Sequence, residues 1–83
     1  MNKDSRGADS MSATEVTSEV IGSVWKIEKA KGDTVGEGEL IMILESMKME
    51  IPIEAPVAGT IVEMLVAPND SVEEDQVLCL IES

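Results

Sequence analysis

"VIGSVWKIEKAKGDTVGEGELIMILES", residues 20–46, returns at residues 57–83 as "VAGTIVEMLVAPNDSVEEDQVLCLIES". A shift of 37 residues lays one copy on the other without a gap. Eight of the 27 aligned pairs are identical: Val20/Val57, Gly22/Gly59, Ala30/Ala67, Asp33/Asp70, Val35/Val72, Glu37/Glu74, Glu45/Glu82 and Ser46/Ser83. Most other pairs keep their character, as in Val24/Ile61, Thr34/Ser71, Leu40/Val77, Ile41/Leu78 and Ile43/Leu80. A solenoid needs about three or more copies. Two copies point instead to half-domains that close on each other about a pseudo-two-fold axis.

Each copy reads as β-structure. "GSVWKI" and "GTIVEMLV" are apolar and rich in β-branched residues after a glycine, while "LIMIL" and "VLCLI" are apolar runs too short for helices. Gly32 and Asn69 align in the intervening turns, and both tolerate the left-handed conformation that a tight turn requires. Asp33 and Asp70 beside them are expected to bond the backbone two residues on, as Asx-turns, and not to form a catalytic carboxylate pair. Gly22 and Gly59 open corresponding strands, where close backbone approach is expected, and Pro52 and Pro56 suit an edge or a corner. Cys79 aligns with Met42 in an apolar run and reads as an inert core thiol. The expected fold is all-β, a flattened barrel or sandwich of two packed antiparallel sheets. Val24, Ile27, Ile41 and Ile43 are expected to pack near Ile61, Met64, Leu78 and Leu80.

The chain has 83 residues, enough for one small domain. Residues 1–14 are polar and aperiodic and read as a disordered leader, leaving 15–83 as the domain. The start lacks the apolar core of a signal peptide and no run of apolar residues is long enough to span a membrane, so a cytoplasmic location is expected. One cysteine and no histidine argue against a soft-metal site and remove the usual general base. Such a chain is a poor candidate for an enzyme acting alone. A net charge of −11 argues against nucleic acid and anionic membrane and suits basic protein partners.

The cations are unevenly placed. From Gly32 to Ser83 there is a single basic residue, Lys48, among twelve acidic ones. It lies in "ESMKMEIP", residues 45–52, between two methionines and next to the most apolar run of the chain. The repeat does not cover it, because residues 47–56 join the two copies. The two-fold therefore relates the lysine segment to the chain termini, which should lie at the other end of the barrel. "LIMILES" leads into Lys48 and "MEIPIEA" leads away, a β-hairpin with the lysine at or beside its turn. Strand alternation puts Met47 and Met49 on the face opposite Lys48, partly buried under the hairpin.

"ESMKMEIPIEAPVAGTI" strongly resembles the biotinyl/lipoyl attachment family, and within it the biotin carboxyl carrier type. The features that carry the resemblance are Met47, Lys48 and Met49, followed by Ala55, Pro56 and Gly59, and it extends over residues 16–83. Related lipoyl domains keep the fold and the lysine but usually place Asp before it and a small residue after it. Ser46 departs from the Ala that many carboxylase carriers have there.

The resemblance implies the barrel-sandwich hybrid fold and biotin covalently attached to Lys48. It also implies a non-catalytic carrier subunit, with biotin protein ligase, biotin carboxylase and a carboxyltransferase as partners. Such a carrier takes a carboxyl group from the carboxylase to the transferase of a biotin-dependent, acyl-CoA type carboxylase. A lipoyl carrier of an acyl-transfer or glycine-cleavage system is the alternative, and a bare interaction module a further one. A lysine ammonium is a poor nucleophile at neutral pH, so attachment needs an activated acyl donor. Glu45, Ser46, Met47, Met49 and Glu50 are the candidate recognition surface, the methionines because a flexible, polarizable side chain adapts to several partners. The surrounding acids are expected to hold the ammonium until acylation removes its charge.

Overall fold

The computed structural model describes residues 13–83. Eight strands follow in order: β1 (Ala13–Thr17), β2 (Gly22–Ile27), β3 (Thr34–Val35), β4 (Leu40–Ser46), β5 (Met49–Glu54), β6 (Gly59–Met64), β7 (Ser71–Val72) and β8 (Val77–Glu82). They form two antiparallel four-stranded sheets, ordered β1-β8-β6-β3 and β5-β4-β2-β7. The all-β, two-sheet expectation is met.

The 37-residue shift is written into the ladders. Ser23 faces Glu45 and Val24 faces Leu44, as Thr60 faces Glu82 and Ile61 faces Ile81. Trp25 and Val62 are skipped in these pairings, so the same β-bulge occurs in both halves. The match also reaches further than the sequence reading found. Val16 of β1 faces Cys79 where Ile53 of β5 faces Met42, and Thr17–Val77 corresponds to Glu54–Leu40. Residues 13–46 thus correspond to 50–83. Strand β1 takes in Ala13 and Thr14, which face Glu82 and Ile81, so the domain begins inside the stretch expected to be a leader. The rest of that stretch, residues 1–12, lies outside the described residues.

Between the sheets lies a core of aliphatic side chains, with Val24, Ile41, Met42, Leu44, Ile61, Leu78, Cys79 and Ile81 almost wholly buried. Ile27 and Met64 are partly buried against it. Ile43 and Leu80, expected in the core, are only half-buried. The cause is a bulge at Ile41 in the β4–β5 ladder and its mate at Leu78 in the β8–β1 ladder. Each bulge turns two consecutive residues inward, Ile41 with Met42 and Leu78 with Cys79, and sends the next one out. Burial pushes the Cys79 thiol up to about 11, in keeping with an inert core residue.

The turns are paired as well. Gly32 (φ 95°) and Asn69 (φ 76°) both take the left-handed conformation, and each N–H donates across the barrel, to the Ile61 and Val24 carbonyls respectively. The Asp33 carboxylate accepts from the Ala30 N–H at 2.8 Å, and that of Asp70 from the Ala67 N–H at 2.9 Å. The turn role of these aspartates holds, but they bind three residues back and not two residues on. A second pair of matching caps joins them: Glu39 accepts from the Gly36 N–H at 2.8 Å, and Gln76 from the Glu73 N–H at 2.9 Å.

Gly22 and Gly59 fix how the strands cross at the two ends. A Cβ on Gly22 would overlap the Glu45 carbonyl, and one on Gly59 would stand 2.5 Å from the Glu82 carbonyl oxygen. Only glycine permits that approach. Pro52 sits on β5, an edge strand, where its missing N–H costs no ladder bond. Exposed Pro56 lies in the bend between β5 and β6.

Candidate functional site

Strands β4 and β5 are paired up to Ser46–Met49, which leaves Met47 and Lys48 as a two-residue hairpin loop. Their φ angles are 53° and 66°, both left-handed. Two positive φ values in a row mark a type I′ turn, whose twist matches that of the flanking strands and which normally selects Asn-Gly. Neither residue here is Asn or Gly, so each carries a Cβ in a region that costs of order 1–3 kcal/mol. A hairpin selected for stability alone would not place Met-Lys at this turn. The strain is tolerated beside a tightly packed ladder in which Leu44 is fully buried and Ile51 opposite it is half-buried.

The tip projects its side chains. Met47 is 91% exposed and Met49 59%, and Lys48 is exposed between them. The expectation that both methionines are partly buried under the hairpin fails for Met47 alone: the I′ loop lifts it clear of the strand alternation. Glu45 and Glu50 face each other directly across the ladder, both exposed. Like charges in that position are destabilising. Ser46 ties the hairpin to the rest of the barrel, its hydroxyl donating to the Ile21 carbonyl at 2.7 Å. This bond between positions 25 apart in sequence was not legible beforehand, and Ile21 was not singled out as a site residue.

Lys48 differs electrostatically from the other lysines described. Lys26 pairs with Glu28 at 3.4 Å, Lys29 with Glu39 at 2.8 Å and Lys31 with Glu63 at 3.7 Å. Lys48 makes no ion pair among the described residues. Among the described residues, then, no acid holds the ammonium, contrary to expectation. Asp33, Asp70, Gly22, Gly59 and Pro56 stay in their turns and corners as scaffold. No group of carboxylates or cysteine that could hold a metal occurs among the described residues.

A family model described as "Biotin-requiring enzyme" matches residues 10–81. The chain belongs to the biotin/lipoyl attachment family. Members of this biotin-requiring family are carriers, non-catalytic in themselves, with biotin attached covalently to a lysine. A "Biotinylated protein TB7.3 homolog" of Mycobacterium leprae is 36% identical over 69 residues, 83% of this chain and 97% of that protein. The "Biotin/lipoyl attachment protein" of Bacillus subtilis is 41% identical over 63 residues, covering 76% of this chain and 86% of that one. Among solved structures, the Kluyveromyces lactis urea carboxylase superposes with a TM-score of 0.79 at 33% identity, covering 83% of this chain and 6% of that one. A single-chain, multi-domain long-chain acyl-CoA carboxylase gives a TM-score of 0.81 at 25% identity, covering 86% of this chain and 7% of that one. Family carriers are thus found both as small proteins of about this length and as minor portions of large carboxylases. Like them, this biotin/lipoyl family member is built from two sheets, and no helix among its described residues is long and apolar enough to cross a membrane.

Proposed function

We propose that Lys48 is the residue to which biotin is attached, and that the chain is the carrier component of a multi-component biotin-dependent carboxylase. The observation that carries this reading is the tip itself: an exposed lysine with no ion pair among the described residues, held by a strained I′ turn, while Lys26, Lys29 and Lys31 are all engaged. Biotin, when bound, supplies a ring nitrogen that takes up and gives back a carboxyl group. This chain contributes presentation. The hairpin holds the Lys48 amine away from the barrel, four methylenes give it reach, and the Ser46–Ile21 bond keeps the base of the arm still.

The partners under this reading are biotin protein ligase, biotin carboxylase and a carboxyltransferase, meeting in the cytoplasm. Met47, Met49, Glu45 and Glu50 form the surface that all of them encounter. An acyl-CoA is the proposed acceptor, supported by the likeness to the long-chain acyl-CoA carboxylase. A lipoyl carrier is the second reading, since the family holds both; methionine on each side of Lys48 favours biotin. Intact-mass measurement after co-expression with a biotin protein ligase tests this. A gain of one biotinyl group that maps to Lys48 and disappears in Lys48→Arg is expected. Biotin on Lys26, Lys29 or Lys31, or a lipoyl group on protein from its native cell, would refute it.

A further inference from the structure

Beside the hairpin lies a groove of about 460 Å³, lined by Glu19, Val20, Ile21, Ser46, Met47 and Glu74. That volume falls within the range of small-molecule sites, about 300–1,000 Å³. Ile21 is 71% exposed and Met47 91%, so the walls are aliphatic surface left open to water.

The internal repeat supplies a control. At the opposite end of the barrel, the residues corresponding to Glu19 and Ile21 are Pro56 and Ala58. Met47 falls outside the match between residues 13–46 and 50–83. A turn of this shape therefore does not need a large apolar residue to form. Ile21 is present only at the end that carries Lys48.

We propose that this groove is a resting site for the bicyclic head of biotin carried on Lys48, a proposal that rests on Lys48 being the attachment residue. The residues fit that group. Its thioether ring and aliphatic chain are apolar, matching Val20, Ile21 and Met47. Its ureido edge offers two N–H donors, and Glu19 and Glu74, which line the groove, carry carboxylates that only accept. The Ser46 hydroxyl spends its proton on the Ile21 carbonyl, which leaves its oxygen to accept as well. The arm springs from the residue next to Met47, so the head reaches the groove by folding back. A short flexible tether gives an effective concentration in the mM range. Weak intrinsic affinity for a shallow groove then suffices for substantial occupancy, and the head remains free to leave for a partner.

The test compares apo and biotinylated protein carrying 13C-labelled Ile, Val and Met methyl groups, with biotin on Lys48 verified by peptide mass. Shifts of the Ile21 and Val20 methyls and NOEs from them to the biotin ring are expected, with Ile43 unmoved. Ile21→Ala substitutes the residue that the repeat already uses at position 58, so the fold survives it. This variant should lose the NOEs, and avidin should capture its biotin faster, by about twofold if the groove holds the head half the time. Biotin on Lys48 with shifts confined to residues 47–49 would overturn the groove and leave the attachment site standing. Groove methyls that move only on adding biotin ligase would assign the groove to a protein partner and overturn it too. No biotin on Lys48 would overturn both.

Discussion

The two ends of this barrel are built by the same rules and finished differently. At one end Gly22 meets the Glu45 carbonyl, and at the other Gly59 meets that of Glu82. The cross-strand pair Glu45–Glu50 at the first corresponds to Ala13–Glu82 at the second. One end closes with a strained Met-Lys turn, an exposed Ile21 and two opposed glutamates; the other has Ala58 and Pro56. What the halves share is fold, because each half must bury its apolar face against the other. The strained turn, the exposed Ile21 and the opposed glutamates have no such structural duty, and they surround Lys48. Pseudo-symmetry thus separates scaffold from function within one chain.

The most damaging test strikes what is shared. Leu44 and Ile81 are two-fold mates, each fully buried. Replacing either by Asp buries an unpaired charge, which costs about 3–5 kcal/mol and is most of the stability of so small a domain. Both variants should lose the β-sheet circular dichroism of the native protein and accept biotin poorly. A folded Leu44→Asp beside an unfolded Ile81→Asp would show that the halves do not share one core.

A smaller loss should split the two ends. Gly22→Ala and Gly59→Ala each drive a methyl into a backbone carbonyl, and overpacking of this kind costs about 1–3 kcal/mol. Their melting temperatures should fall by similar amounts. Only Gly22→Ala displaces Glu45 and Ser46 at the base of the arm, so only it should slow biotin incorporation at temperatures where both variants are folded. Equal rates would mean that ligation does not depend on the posture of the hairpin.

The turn itself should show the opposite sign. Met47→Asn supplies the residue that a type I′ turn prefers and relieves one strained φ, a gain of about 1 kcal/mol. The variant should melt higher and be biotinylated more slowly, because Met47 is exposed for contact and not for packing. A variant that is both more stable and equally good as a substrate would remove the argument from strain.

Much of this was legible in the sequence, for identifiable reasons. The repeat fixed strand identity and the two-sheet plan, since apolar runs such as "LIMIL" and "VLCLI" have only one face of a partner to bury against. The extension of the repeat to β1 and β5 was hidden, because edge strands are half exposed and only Val16 and Ile53 had to remain apolar. Bulges at Ile41 and Leu78 shifted the inward alternation by one, and nothing local in an all-aliphatic run announces where a ladder skips. Lys48 stood out through its neighbours and the charge pattern. Ile21 did not, because its relation to the site depends on a turn from β1 to β2 coming to rest against Ser46, a contact between distant parts of the chain.

The finest distinction between the halves concerns a pair of matching turns. Glu39 caps the Gly36 N–H as Gln76 caps that of Glu73, but Glu39 also binds Lys29 at 2.8 Å. The hydrogen bond from Lys29 and the Gly36 N–H hold the Glu39 carboxyl below its ordinary range, and the same hydrogen bond with Glu39 raises Lys29. A carboxylate with a depressed folded-state pKa stabilises the fold above its unfolded value, about 4.3, and loses that contribution as pH falls through the folded one. Lys29 keeps its contribution through neutral pH and loses it only in strong alkali. Both groups are solvent-exposed, so the effect is small and screened by salt. Glu39→Gln copies the cap of the other half, retaining the bond to Gly36 and deleting the charge. Many carboxylates titrate in the same window, so the informative quantity is the difference in melting temperature between the parent and this variant. It should be positive at pH 7, about a degree or two at low salt, and should shrink towards zero as pH falls below about 4. The mirror variant, Gln76→Glu, meets no lysine in the equivalent place, since the residue that corresponds to Lys29 is Val66. It should gain no such acid-sensitive increment. A Glu39→Gln difference that stayed constant from pH 7 to pH 3 would show that the ion pair contributes nothing and that the two turns, despite their charge, are energetically the same.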